Sequence, residues 1–140
     1  MNIEINLPSS YIFETTILIR IDDINYGNHL GNDVLLAYAH ETRVQFLNEL
    51  GYTELNIDGT GIIMTESAVK YLAEGHHGQT LNVKLAIEKT SDLVLGCTYV
   101  FTESQTKKEV ARVFTKLVSF DYDRKKVRRF SSQFLNQLNS

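Results

Sequence analysis

Hydrophobic and polar positions along the chain fall into stretches of two different periods, and the changes between them set the expected order of elements. From Tyr11 to Ile21 the apolar residues Tyr11, Phe13, Ile17, Ile19 and Ile21 keep one parity, with Glu14, Thr16 and Arg20 on the other, which is the period-2 signature of a strand. The segment DDINYGNHLGND follows; its Asp, Asn and Gly tolerate turns and left-handed backbone and cap helices, so it predicts a loop entering a helix. Beyond it Leu35, Tyr38, Thr42, Phe46 and Leu50 recur at three- and four-residue spacing, and Gly51 stands as a C-terminal cap. The spacing predicts a helix from about Asn32 to Leu50, roughly 28 Å long at 1.5 Å per residue.

A helix of that length needs a whole sheet to pack on, and the rest of the pattern supplies one. Ile62 to Tyr71 is extended, Leu81, Val83, Leu85 and Ile87 alternate with polar residues, Leu93 to Phe101 is apolar on both parities, and Val110 to Phe120 follows. Breaks at 74–78, 90–92 and 104–107 separate these strands as turns or loops. Strand, long helix, then a run of strands joined by short links is an α+β order with a mostly antiparallel sheet. No repeat or Pro-rich linker interrupts it, and the only proline is Pro8.

At 140 residues the chain fits one domain, 1–140. With 43% apolar residues and a net charge of only −3, it can bury a core and lacks the self-repulsion of a disordered chain. The slight acidic balance argues against a nucleic-acid partner. Cys97 is the single cysteine, so no internal disulfide is possible and nothing marks the chain as secreted. Its first residues form no signal peptide, and no apolar run approaches the roughly 18 residues of a membrane span; a soluble cytoplasmic protein is expected. Nine of the 14 basic residues lie between Lys107 and Arg129. They form either a solvated hairpin edge protected from stray pairing or a phosphate-binding surface, in which Arg112 and Lys116 share strand parity and can face one anion.

Dinucleotide, nucleoside-triphosphate, zinc-protease and serine-hydrolase motifs are absent. His76 and His77 are adjacent, and on an extended segment neighbours point oppositely and make a poor chelate. Cys97 sits in an apolar strand with no nearby base, where a buried structural role outweighs nucleophilic chemistry.

What remains is Arg20 to Leu47, RIDDINYGNHLGNDVLLAYAHETRVQFL. It resembles the hotdog-fold acyl-CoA thioesterases of the 4-hydroxybenzoyl-CoA thioesterase superfamily, which typically read R-x-x-D-x-D-x-x-G-H-V-N-N-x-x-Y-L and then E-A-R-x-x-F-L. Arg20, Asp23, His29, Asn32, Glu41, Arg43, Phe46 and Leu47 match without a gap, while Gly27 and Asn28 reverse the small-residue order before His29 and Gly31 replaces the first Asn of the pair. The second Asp of the pattern, where members with a loop carboxylate place it, is Asn25, which has no ionisable group. Plant acyl-carrier-protein thioesterases resemble the loop too, but their extra Asn falls on Gly27.

The resemblance implies a hotdog fold, a long central helix wrapped by a curved antiparallel sheet. It also implies a homodimer or homotetramer with the acyl-CoA site between subunits, and hydrolysis of an acyl-CoA thioester to a carboxylic acid and CoA without metal or cofactor. Thioester hydrolysis needs a base or a carboxylate nucleophile, and donors for the oxyanion, which a helix N-terminus supplies. The loop from Tyr26 to Asn32 lies at such an N-terminus. Related enzymes without a loop Asp carry the catalytic acid on this helix, so the resemblance lets Glu41 take the role Asn25 cannot fill, with Asn25 and His29 positioning water and carbonyl. Asp23, Tyr26, Gly27, Asn32 and Met64 are the substrate-binding candidates, with Arg112 and Lys116, or the 124–129 cluster, for the CoA phosphates. Each has a plainer reading: Glu41 as an ion-pair partner near His40 and Arg43, Asp23 as a turn cap or the partner of Arg20, His29 and Asn25 as residues that order the loop. Two other readings remain open on the same fold, a non-hydrolytic acyl-CoA binding or regulatory protein, suggested by Asn25, and a hydratase or dehydratase, which lacks a traceable Asp–His pairing.

Overall fold

The computed structural model describes residues 2–139. The chain runs through β1 (Phe13–Leu18), a one-turn 3-10 helix (Ile21–Asp23), α1 (Val34–Glu49), β2 (Gly61–Tyr71), β3 (Thr80–Lys89), β4 (Val94–Glu103), β5 (Glu109–Asp121), β6 (Lys126–Val127) and α2 (Ser132–Gln137). The strands form one antiparallel sheet in the order β1-β3-β4-β5-β2, with β6 on β5. All four strands expected after the helix are present, so the α+β reading holds.

Helix α1 lies on one face of the sheet. It buries Leu35, Tyr38, Thr42 and Phe46 of the expected stripe, and also Ala39, Arg43 and Leu47; Leu50 is the C-cap and is half-buried. Beneath them lie the odd-numbered residues of β3, β4 and β5, including Leu81, Val83, Leu85, Cys97, Tyr99, Phe101 and Val113, all fully buried. Gly51 closes the helix with φ +88°, where any other side chain is strained.

The even-numbered residues face the other way, and the segment before β1 crosses over them. Lys70 Nζ donates to the Ile3 carbonyl at 3.1 Å and Arg112 Nη1 to the Ile5 carbonyl at 2.7 Å. Asn6 to Ser10 lie over Ala86, Gly96 and Thr98 and enclose a cavity of about 470 Å³. A central strand covered on both faces reads as an unbroken apolar run, which explains why β4 shows no alternation.

Two expectations change. The first strand stops at Leu18, and Ile21, read as its last inward residue, stands 69% exposed on the 3-10 turn; the alternation continues in sequence after the backbone has turned. The short β6 and α2 carry too few residues for a period to show. They are held by Phe130 and Phe134, buried together at 5.2 Å between ring centroids, and by Ser131 Oγ, which accepts from the Phe134 N–H and so caps α2.

Candidate active site

The loop before α1 is fastened by its own short polar side chains. Asp23 Oδ2 accepts from the Arg20 N–H at 3.1 Å and from the Tyr38 hydroxyl at 2.6 Å; burial and that carboxylate hold the Tyr38 phenol well above its ordinary pKa. Asp23 therefore ties the loop to the helix, while the Arg20 side chain reaches Asp22. Asn25 Oδ1 accepts from the Gly27 N–H at 2.9 Å, an Asx turn. Asn28 takes φ +67° at the position where the thioesterase pattern has glycine; asparagine is among the few residues that tolerate it. A side chain at Gly27 would come within 3.2 Å of both Asn25 Oδ1 and His29 Nε2, so the amide and the imidazole both lie close to Gly27 and leave little room for a larger residue there. Tyr26 beside it is fully exposed.

The loop also docks on the far side of the sheet's end. Leu30 N–H donates to the Gly75 carbonyl at 2.8 Å, and a side chain at Gly75 would meet Ile19 Cδ1 at 2.9 Å, so the close approach needs glycine. Between the two loops lies a cavity of about 260 Å³ lined by His29, Asn32, Leu35, Tyr71, Glu74 and Val110 among others. The Tyr71 hydroxyl donates to the Asn32 carbonyl at 2.6 Å and closes its rim. Asp33 at the N-cap makes no side-chain cap.

Tyr71, at one end of this cavity, is the last residue of β2. The residues of β5 that face α1, Ala111, Val113, Thr115 and Leu117, are all buried. Their partners on β2 are Tyr71, Val69, Ser67 and Met64, which face the same side because cross-strand partners share a face. Yet Met64 and Tyr71 are about half exposed, at 50% and 52%, and Ser67 is exposed as well. The helix covers β5, while on β2 only Ile62 and Val69 pack against the core, so the inner face of the edge strand is partly open. Met64 thus lies on this partly open face. The irregularity between Met64 and Glu66 is a bulge that resets the parity halfway along the strand.

The flank of α1 toward the start of β2 carries a polar relay. Arg43 and Leu47 line a small apolar gap with Ile62 of β2. Arg43 Nε donates to Glu54 Oε2 through a short contact, and Arg43 Nη1 donates to the Tyr99 hydroxyl at 3.0 Å in the core. Burial opposes the guanidinium charge, but Tyr99 and Glu54 outweigh it and raise its pKa. Glu54 Oε1 is 2.6 Å from His40 Nε2. The Glu54 carbonyl accepts from the Ile62 N–H, fixing this loop to the start of β2. Nothing in the spacing of residues 14 apart announces the His40–Glu54 pair; the matched Arg43 was the one available sign.

The remaining candidates lie elsewhere. Glu41 is exposed, seven residues rather than nine into the helix, and accepts from Gln45 Nε2 at 2.6 Å; Gln45 Oε1 in turn accepts from the Thr15 hydroxyl on β1. This flank faces β1, at the opposite edge of the sheet from β2, so one chain does not bring Glu41 to Asn25 and His29. Arg112 and Lys116 do share a face, but it is the outer one. Arg112 is paired with Glu109 at 2.5 Å and with the N-terminal segment, and Lys116 with Glu66 at 3.6 Å. The 124–129 cluster lies at the other end of β5 from Val110, where Arg124 and Arg128 meet Asp121 and Arg129 meets Asp92. Cys97 is buried and its thiol is pushed up to about 11, chiefly by burial.

A model of the thioesterase-like superfamily matches residues 19–138. A 1,4-dihydroxy-2-naphthoyl-CoA thioesterase from Synechocystis superposes with a TM-score of 0.84 at 18% identity, covering 91% of this chain and 96% of its own. A DHNA-CoA thioesterase from Staphylococcus aureus gives 0.80 at 17%, over 90% and 87%. A hypothetical protein of the same organism, in complex with CoA, gives 0.83 at 14%, over 97% and 86%. At such identities the likeness establishes the fold, the hotdog fold. No curated protein sequence matches the chain. Among the described residues no helix is long and apolar enough to cross a membrane.

Proposed function

Because the chain belongs to the thioesterase-like superfamily, we propose that it hydrolyses an acyl-CoA thioester to a free carboxylic acid and CoA. The observation that supports this reading is the partly open inner face of β2, with Met64, Ser67 and Tyr71 exposed, and the cavity of His29, Asn32 and Tyr71 at its end beside the start of α1. The acyl group lies along Met64 and Ser67, and the carbonyl sits at the cavity end. There the uncapped first turn of α1 offers N–H groups, and the positive end of the helix dipole, to the oxyanion. The amide of Asn25 and the ring of His29, both close to Gly27, orient water and carbonyl; Tyr26 and Asn32 supply the rim. A second copy of the chain completes the site along the free side of β2, an edge strand of 11 residues paired only with β5, since an unpaired edge is a template for another strand.

Steady-state release of free thiol from a panel of aliphatic and aromatic acyl-CoAs tests the activity. Saturable hydrolysis of at least one member is expected, and Asn25→Asp, which restores the loop carboxylate of the family pattern, is expected to raise it. A second reading, acyl-CoA binding without hydrolysis, rests on Asn25 and its engagement with the Gly27 N–H. Calorimetric binding of CoA esters with no turnover of any of them selects that reading.

A further inference from the structure

The thioesterase reading leaves the proton acceptor open: Asn25 cannot ionise, Asp23 is spent on the Arg20 N–H and the Tyr38 hydroxyl, and Glu41 faces β1. The cavity that receives the carbonyl in that reading has an acidic residue of its own. Of the residues that line it, only His29, Asn32, Tyr71 and Glu74 carry polar side chains, and only Glu74 is a carboxylate. We propose that Glu74 is the general base of this site; the inference rests on the thioesterase reading above.

Its placement follows from the backbone. The residue before Glu74 is fixed to β5, because the Ala73 N–H donates to the Val110 carbonyl at 3.1 Å, and the residue after it is fixed to the loop before α1, because the Gly75 carbonyl accepts from the Leu30 N–H at 2.8 Å. Gly75 is buried against Ile19 and Leu30, so the junction has no room to slide. His29 precedes Leu30 as Glu74 precedes Gly75. The bond between the two loops therefore brings Glu74 and His29 into the wall of one cavity, the cavity at the start of α1.

The carboxylate is also free to act. Glu54 is held by Arg43, Glu41 by Gln45, and Glu103 and Asp121 by backbone N–H groups. Among the described residues no donor hydrogen-bonds to the Glu74 side chain, which is 65% exposed; its ion-pair contact is His76 Nε2 at 3.9 Å, beyond hydrogen-bonding distance. A carboxylate that accepts nothing from the protein keeps its lone pairs for a water.

In the reaction one oxygen of Glu74 takes a proton from water as the water oxygen bonds to the thioester carbonyl carbon, while the first turn of α1 receives the oxyanion. Collapse of the tetrahedral adduct breaks the C–S bond, and the electron pair leaves with sulfur. The proton on Glu74 passes to that sulfur, giving CoA thiol and the carboxylic acid and restoring the carboxylate with no other reactant.

The test measures kcat and KM of Glu74→Gln, Glu74→Ala, Glu74→Asp, His76→Gln and Glu41→Gln on an acyl-CoA that the wild type hydrolyses, with thermal melts to show that each is folded. Glu74→Gln and Glu74→Ala are expected to lower kcat by about 10²- to 10⁴-fold with KM little changed. Glu74→Asp is expected to keep part of the rate, added formate to restore part of the Glu74→Ala rate, and His76→Gln to leave kcat close to the wild type. A merely structural role would shift the melting temperature and give no rescue by formate. A wild-type kcat in folded Glu74→Gln, a fall confined to Glu41→Gln, or equal falls in Glu74→Gln and His76→Gln overturns the assignment while leaving the thioesterase reading intact. A wild type that turns over no acyl-CoA overturns both.

Discussion

At the scale of single residues, Arg43 holds more of the structure than its charge suggests. It is buried on α1 between Glu54 and the Tyr99 hydroxyl, and removing one partner of a buried ion pair strands the other. Breaking such a pair costs about 3–5 kcal/mol, so Arg43→Ala is expected to lose stability of that order in urea unfolding. Because Arg43 and Glu54 are in direct contact, the Arg43→Ala/Glu54→Ala double variant is expected to lose less than the sum of the two singles. Additive losses would mean that the contact carries no coupling. The sequence pattern marked Arg43 through its match to the thioesterase helix; it carried no trace of Glu54, whose loop has no period to read.

At the scale of elements, the turns at the ends of β4 and β5 depend on carboxylates that accept backbone N–H groups. Glu103 accepts from the Gln105 and Thr106 N–H groups at 3.1 and 3.0 Å, and Asp121 from those of Asp123 and Arg124 at 3.0 Å each. Those N–H groups are the main reason that both folded carboxyls lie below their ordinary values of 4.5 and 3.8, with Arg128 and Arg124 adding to the effect at Asp121. A depressed folded pKa contributes stability that is complete above the unfolded range and is lost as the pH falls through the folded value. Urea midpoints are therefore expected to hold from pH 6 to about pH 5 and to fall steadily below pH 4, and Glu103→Gln is expected to flatten part of that fall. An unchanged slope for Glu103→Gln would remove this turn from the acid response.

At the scale of the whole molecule, α1 covers β5 and leaves the inner face of β2 partly open, so one chain exposes Met64, Ser67 and Tyr71 beside an unpaired edge. The N-terminal segment crosses the opposite face of the sheet, bonded to Lys70 of β2 and Arg112 of β5 and lying over β3 and β4. Of the two faces, the outer one is occupied by the chain's own backbone and the inner one ends in a free strand. Sedimentation equilibrium at micromolar concentration is expected to give at least a dimer. A monomer with full hydrolytic activity would remove the second copy from the site.

The sequence by itself determined the order of the long elements, β1 to β5 and α1, and the face of α1 that is buried, because both follow from local periods: two for strands, three to four for a helix. It also brought out the loop from Arg20 to Asn32, because Asp, Asn and Gly at those positions serve the backbone of the loop itself, as Asn25, Gly27 and Asn28 do here. The limits of β1, the sheet order with β2 at its edge, the outer position of Arg112 and Lys116, and the two flanks that separate Glu41 from His40 were decided only in the tertiary structure. Parity states which residues share a face, never which face is covered. That depends on the helix lying over β5 and stopping short of β2, and on the N-terminal segment crossing the other side. The pairing of His40 with Glu54 depends in the same way on a loop folding back onto the middle of α1, where a buried arginine fixes the carboxylate.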